Sequence, residues 1–154
     1  MKKITYILAL IFALFISACG STSTISCEQV SNDEDMNTSI VAKGTFERGG
    51  ETLKEIDLTM TFEAVNDTTK EHWPMVHSFL QQTFDNYESS EGIAVNINDD
   101  EQNHTYTVNF HINVDRLNET DLVNDIFDGF NINELRTGTE EQFRQAFTSL
   151  GFAC

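Results

Sequence analysis

The chain has 154 residues, with 25 acidic against 9 basic side chains and a formal charge of −16. That length suits one domain with a real core. The acidic balance excludes nucleic acid as a partner, because phosphate binding needs a basic surface, while cations or a basic partner surface stay electrostatically acceptable.

Met1-Lys2-Lys3 is a short basic start, and Ile4 to Ile16 is apolar apart from Thr5 and the Tyr6 hydroxyl. A charged n-region followed by such an h-region reads as a signal peptide. The run is shorter than the roughly 18 to 20 residues of a spanning helix. It ends in Ile16-Ser17-Ala18-Cys19, which resembles the lipobox of bacterial lipoproteins. The resemblance implies cleavage before Cys19 and a thioether-linked diacylglycerol on its sulfur, with residues 1–18 a lipoprotein signal peptide. Two or three acyl chains of the palmitate kind anchor stably, at about 0.8 kcal/mol per buried methylene. The membrane is then the first partner. The expected place is the cell envelope, on the outer leaflet of the plasma membrane or on the outer membrane of a diderm cell, with the body extracytoplasmic. The alternatives are an ordinary secretory signal and an N-terminal membrane helix. No second apolar run of spanning length follows, so the body is expected to be soluble, and loss of Lys2 and Lys3 takes its formal charge from −16 to −18.

Residues 19–26 are small and polar apart from Cys19 and Ile25, and read as a flexible tether. A single domain is expected over 27–154. Asp33-Glu34-Asp35 is placed in the loop entering a first strand, in which Ile40, Ala42, Gly44 and Phe46 alternate. Arg48-Gly49-Gly50-Glu51 is a turn signal. In Glu55 to Val65, Ile56, Leu58, Met60, Phe62 and Ala64 share one face, and Asp57, Thr59, Thr61 and Glu63 the other. Alternation of this kind predicts antiparallel strands with one dry and one wet face.

A helix follows, with Val76, Phe79, Leu80, Phe84 and Tyr87 at helical spacing. Thr68 with Glu71 fits a capping box. Pro74 opposes a helix that starts that early, so either a kink or a start near Trp73 is expected. Ile93, Val95 and Ile97 repeat the strand pattern, Asn98 to Asn103 is a polar loop, and Tyr106, Val108, Phe110, Ile112 and Val114 share a face in His104 to Asp115. Glu119 to Asp128 is expected as a short helix, with Gly129 to Arg136 as loop. Thr139-Glu140-Glu141-Gln142 is a capping box for a last helix whose stripe is Phe143, Ala146, Phe147 and Leu150. Gly151 ends that helix, and Phe152 packs back across it. The expected fold is α+β: a four-stranded antiparallel sheet, built as strand-strand-helix twice, with helices packed on one face.

The lipobox, a cysteine soon after it, two strand-strand-helix units and the closing Ser149-Leu150-Gly151-Phe152-Ala153-Cys154 resemble the YehR-like family of small bacterial envelope lipoproteins. The resemblance implies an α+β fold. It carries no activity and no catalytic residues to place on this chain.

Chemistry-bearing motifs are sparse. The four histidines, His72, His77, His104 and His111, lie at spacings that do not converge, and neither HExxH nor CxxC occurs; no metal site is assigned. Asn32 to Asp35 and Asn98 to Asn103 are rich in oxygen ligands but lack the glycine and the twelfth-position glutamate of a calcium loop. No nucleophile elbow or phosphate-binding glycine pattern is present. No catalytic residue and no cofactor are assigned, and the chain is read as not an enzyme.

Two features remain. Asn96, Asn98, Thr105, Thr107, Asn109, His111 and Asn113 fall on the wet side of the last two strands, beside Thr59 and Thr61. Asparagine is poor in strands, so Asn96, Asn109, His111 and Asn113 are taken as a candidate binding face for an unknown protein or small molecule, with simple solubility as the alternative. With Cys19 lipidated, Cys27 and Cys154 are left in a compartment that permits oxidation, and a disulfide between them is expected; two separate thiols, one joined to another molecule, are the alternative. The functional expectation is a lipid-anchored, non-catalytic binding or envelope module. A divalent-cation-binding or acidic surface module is the second reading, and an enzyme with an unrecognised carboxylate site the third.

Overall fold

The computed structural model describes residues 22–47, 49–84, 91–117 and 136–154. The signal peptide, Cys19, the expected helix at 119–128 and the loop after it, apart from Arg136, lie outside the described residues. The elements in order are β1 (Ser23–Asn32), β2 (Met36–Phe46), β3 (Leu53–Ala64), α1 (Asp67–Glu71), α2 (Trp73–Phe84), β4 (Ile93–Asp100), β5 (Thr105–Asn113), a 3-10 turn (Val114–Arg116) and α3 (Glu140–Ser149). No helix among the described residues is long and apolar enough to cross a membrane.

The sheet has five strands in the order β1-β2-β3-β5-β4, all antiparallel. This corrects the four-stranded expectation and its twofold strand-strand-helix plan, although the fold is still mixed α+β. The missing strand is β1. Ser23 to Ser26 belong to it rather than to a tether, and Asp33 to Asp35 turn β1 into β2 instead of leading into a first strand. The physical reason is composition. Ile25 and Cys27 are buried, but Gln29 and Ser31 continue their face, so alternation fades after two residues. Pairing along all ten residues with β2 supplies the backbone bonds that the side chains do not advertise.

The dry face carries the core. Ala42, Ile56, Leu58, Val108, Phe110 and Ile112 are buried there, and α2 and α3 cover it. Trp73, Leu80 and Phe84 of α2 face inward, with the Phe84 ring against Phe62, Tyr106 and Phe110. Phe143 of α3 sits edge-on to Phe46 at 5.8 Å. It reaches β2 because Gly44 has no side chain: a Cβ there would lie 3.1 Å from the Phe143 ring.

The N-cap of α1 is Asn66, not Thr68; its side chain accepts from the Thr69 N–H at 2.7 Å and donates to Glu34 O and Asp35 Oδ1. Proline has no N–H to offer, and α2 starts afresh at Trp73, so Pro74 falls in a first turn where that donor has no partner anyway. The capping box of α3 forms at Thr139 and Gln142. At its other end the Gly151 N–H donates to Thr148 O and the Phe152 N–H to Phe147 O, with Gly151 at φ 91°. This is a Schellman motif, closed by the Phe152 ring on Phe147.

Candidate functional site

The Schellman turn aims the last residues at the outer edge of β1. Ala153 exchanges two backbone hydrogen bonds with Glu28, each 2.8 Å. Cys154 Sγ then lies 2.01 Å from Cys27 Sγ, with the Cα atoms 4.0 Å apart. Cys27 is fully buried under α3, and Cys154 is exposed. The cross-link therefore fastens the end of α3 to the edge of the sheet.

The opposite face of the sheet carries no described element. Its cross-strand rows follow from the register. One row runs Glu28, Val41, Thr59, Asn109, Asn96, the next Ser26, Lys43, Asp57, His111, Ala94, and a third Val30, Ser39, Thr61, Thr107, Asn98. Thr59 Oγ1 donates to Asn109 Oδ1 at 2.9 Å, and the Thr61 and Thr107 hydroxyls are 3.4 Å apart. His111 Nδ1 meets Asp57 Oδ1 at 2.7 Å, with both side chains about half exposed. Of the four candidate residues, Asn96, Asn109 and His111 are brought together on neighbouring positions. Asn113 serves the fold: its side-chain Oδ1 accepts from the Arg116 N–H and caps the 3-10 turn.

Lys43 and Asp57 complete the face, and the sequence expectation does not include either. Asp57 could be assigned to the wet side, but only strand order shows that it stands opposite His111. Lys43, Asp57, Thr59, Asn96, Asn109 and His111 line a shallow depression of about 490 Å³. A second, of about 480 Å³, adjoins it through Ala94 and His111 and reaches Asn113 and Arg116. Both open broadly to solvent.

Other titratable groups among the described residues brace the scaffold. His77 Nε2 pairs with Asp99 Oδ2 at 2.8 Å and ties α2 to β4. No group of three or more His, Cys, Asp or Glu able to hold a metal occurs among the described residues. Asn98 to Asp100 belong to β4, and the loop is only Glu101 to His104. Within it the Asn103 side-chain and backbone N–H groups hold the Asp100 carboxyl below the usual 3.8, and the Met36 and Asp35 N–H groups do the same for Asp33. A depressed folded-state value makes this stabilisation complete above the ordinary value, and it disappears as pH falls through the folded one. Asp100→Asn imitates the protonated form. Its melting temperature should lie below wild type at pH 6 and converge with it in strong acid; a constant gap across that range would refute the assignment.

No family model matches the chain, and no curated protein matches it. Among solved structures the chain is similar to an NMR structure of a protein from Streptococcus pneumoniae TIGR4, with a TM-score of 0.48 and 9% identity, covering 85% of this chain and 84% of that one. A likeness of that size bears on neither site nor function.

Proposed function

We propose that the protein is a lipid-anchored, extracytoplasmic bacterial lipoprotein whose body is a non-catalytic binding module. Its binding surface is the polar face around Asn96, Asn109 and His111. The observation that carries this is that no described element covers that face, while α2, α3 and the buried aromatic packing lie on the other. Small-molecule sites enclose most of their ligand, and these depressions do not. A macromolecular partner offering hydrogen-bonding groups, neutral or basic in charge, suits the surface better.

The anchor at Cys19 rests on the Ile16-Ser17-Ala18-Cys19 box. Because β1 begins at Ser23, four steps separate the lipidated cysteine from the sheet, which allows at most about 14 Å. The body is then held close to the bilayer, and a partner within the envelope meets it at that height.

The test is a photo-crosslinking residue in place of Asn109, in the full chain expressed in its membrane. Adducts to one heterologous envelope protein, lost when the crosslinker is moved to the exposed far side of α2 at Met75, are expected. Equal labelling from both positions would refute the face. Separately, a palmitate analogue should label wild type and not Cys19→Ala; undiminished label in that variant would refute the anchor alone.

A further inference from the structure

The two edges of the sheet are finished differently. The outer edge of β1 is closed by Ala153 and by the cross-link beside it. The outer edge of β4 is bare among the described residues. The Asn113 N–H donates to Gly92 O at 2.8 Å, and Ile93 is paired with Ile112. Hydrogen-bonded pairs alternate along an antiparallel ladder. The even-numbered residues of β4 therefore turn their backbone groups toward β5, and Ile93, Val95, Ile97 and Asp99 turn theirs outward.

Exposed edges are normally blunted by charged side chains, lysine above all, by proline, by bulges or by a covering segment, and the charges of β4 are confined to its last two residues, Asp99 and Asp100. β4 contains no lysine, arginine or proline, and its register with β5 is unbroken over eight residues. We infer that this edge pairs with the same edge of a second copy of the chain, antiparallel, about a twofold axis at Asn96.

Self-complementarity selects that occupant and that register. With Asn96 facing Asn96 of the second copy, Val95 faces Ile97 and Ala94 faces Asn98. Only outward-turned residues then exchange backbone bonds, so every bond can form. On the dry side two half-buried apolar side chains meet. On the wet side the axis is a neutral amide pair. Asp99 faces Ile93, so no carboxylate of β4 opposes another; a parallel pairing would set Asp99 against Asp99. The result is one continuous sheet in which the two polar faces join into a single surface twice as wide. The pairing does not depend on that face binding a partner.

A pair on the axis is a non-hydrogen-bonded pair, with Cα atoms about 4.5 Å apart, within the span of a disulfide. In cells expressing the full chain, Asn96→Cys should yield a covalent dimer on mild oxidation, and Asn98→Cys, which faces Ala94, should stay monomeric. Asn96 is exposed, so folding should survive these changes. Two differently tagged copies add a second readout. Asn96→Asp should fail to co-purify with itself, and so should Asn96→Lys, because like charges are set opposite each other. Asn96→Asp with Asn96→Lys should co-purify as wild type does. Monomer only from Asn96→Cys, equal dimer from both cysteine variants, or no rescue by the opposite charges would each overturn the inference, as would a cysteine adduct to a different protein.

Discussion

Cys154→Ser should bring the protein close to unfolding. The cross-link joins residues separated by 127 positions. Closing a loop of that length removes unfolded-chain entropy worth about 5 kcal/mol in the chain-entropy model, against a total stability of about 5 to 15 kcal/mol for a typical domain. Cys154 is exposed and Cys27 is fully buried, so the change at 154 removes the bond without opening a cavity, whereas a change at 27 would confound the two. Urea unfolding of oxidised wild type, reduced wild type and Cys154→Ser is the measurement. The last two should coincide and lie well below the first. A difference under about 1 kcal/mol would mean that the Schellman turn, the Phe147–Phe152 contact and the Ala153–Glu28 bridge hold the end of α3 unaided.

Adjacent residues on β5 should differ by several kcal/mol in what they contribute. Phe110 is 1% exposed and packs edge-on against Phe84 at 5.9 Å. Phe110→Ala removes that ring from the core beneath α2 and should cost about 3 to 5 kcal/mol. Asn109 points to the opposite face and accepts one hydrogen bond from Thr59. Asn109→Ser should move stability by about 0.5 kcal/mol or less, because solvent can take over that bond. Equilibrium unfolding of the two variants decides it. A loss above about 2 kcal/mol in Asn109→Ser would show that the polar face is covered in the native protein.

Much of this was legible in the residues themselves. Alternation in Glu55 to Val65 and in His104 to Asp115 locates β3 and β5 within two residues, since each strand is apolar on one side along its whole length. The capping box at Thr139 and the glycine at 151 mark both ends of α3, because capping is a local exchange of hydrogen bonds within a few residues. The wet side of β5 could be read from the same alternation.

Other features needed the tertiary structure. β1 is a strand because β2 supplies a partner for its backbone, not because its side chains alternate, and a tether-like composition concealed it. Its presence moves the sheet edge outward, shortens the reach to Cys19 and provides the Glu28 position that receives Ala153. The order β1-β2-β3-β5-β4 likewise decides that Asp57 meets His111 and that Asn96 lies on an edge. Periodicity assigns a residue to a face, because a strand's side chains alternate with period two. It carries no information about which strand lies alongside, since backbone hydrogen bonds are the same for every sequence. Faces were therefore determined by the sequence alone, and neighbours and edges only by the packing of the whole chain.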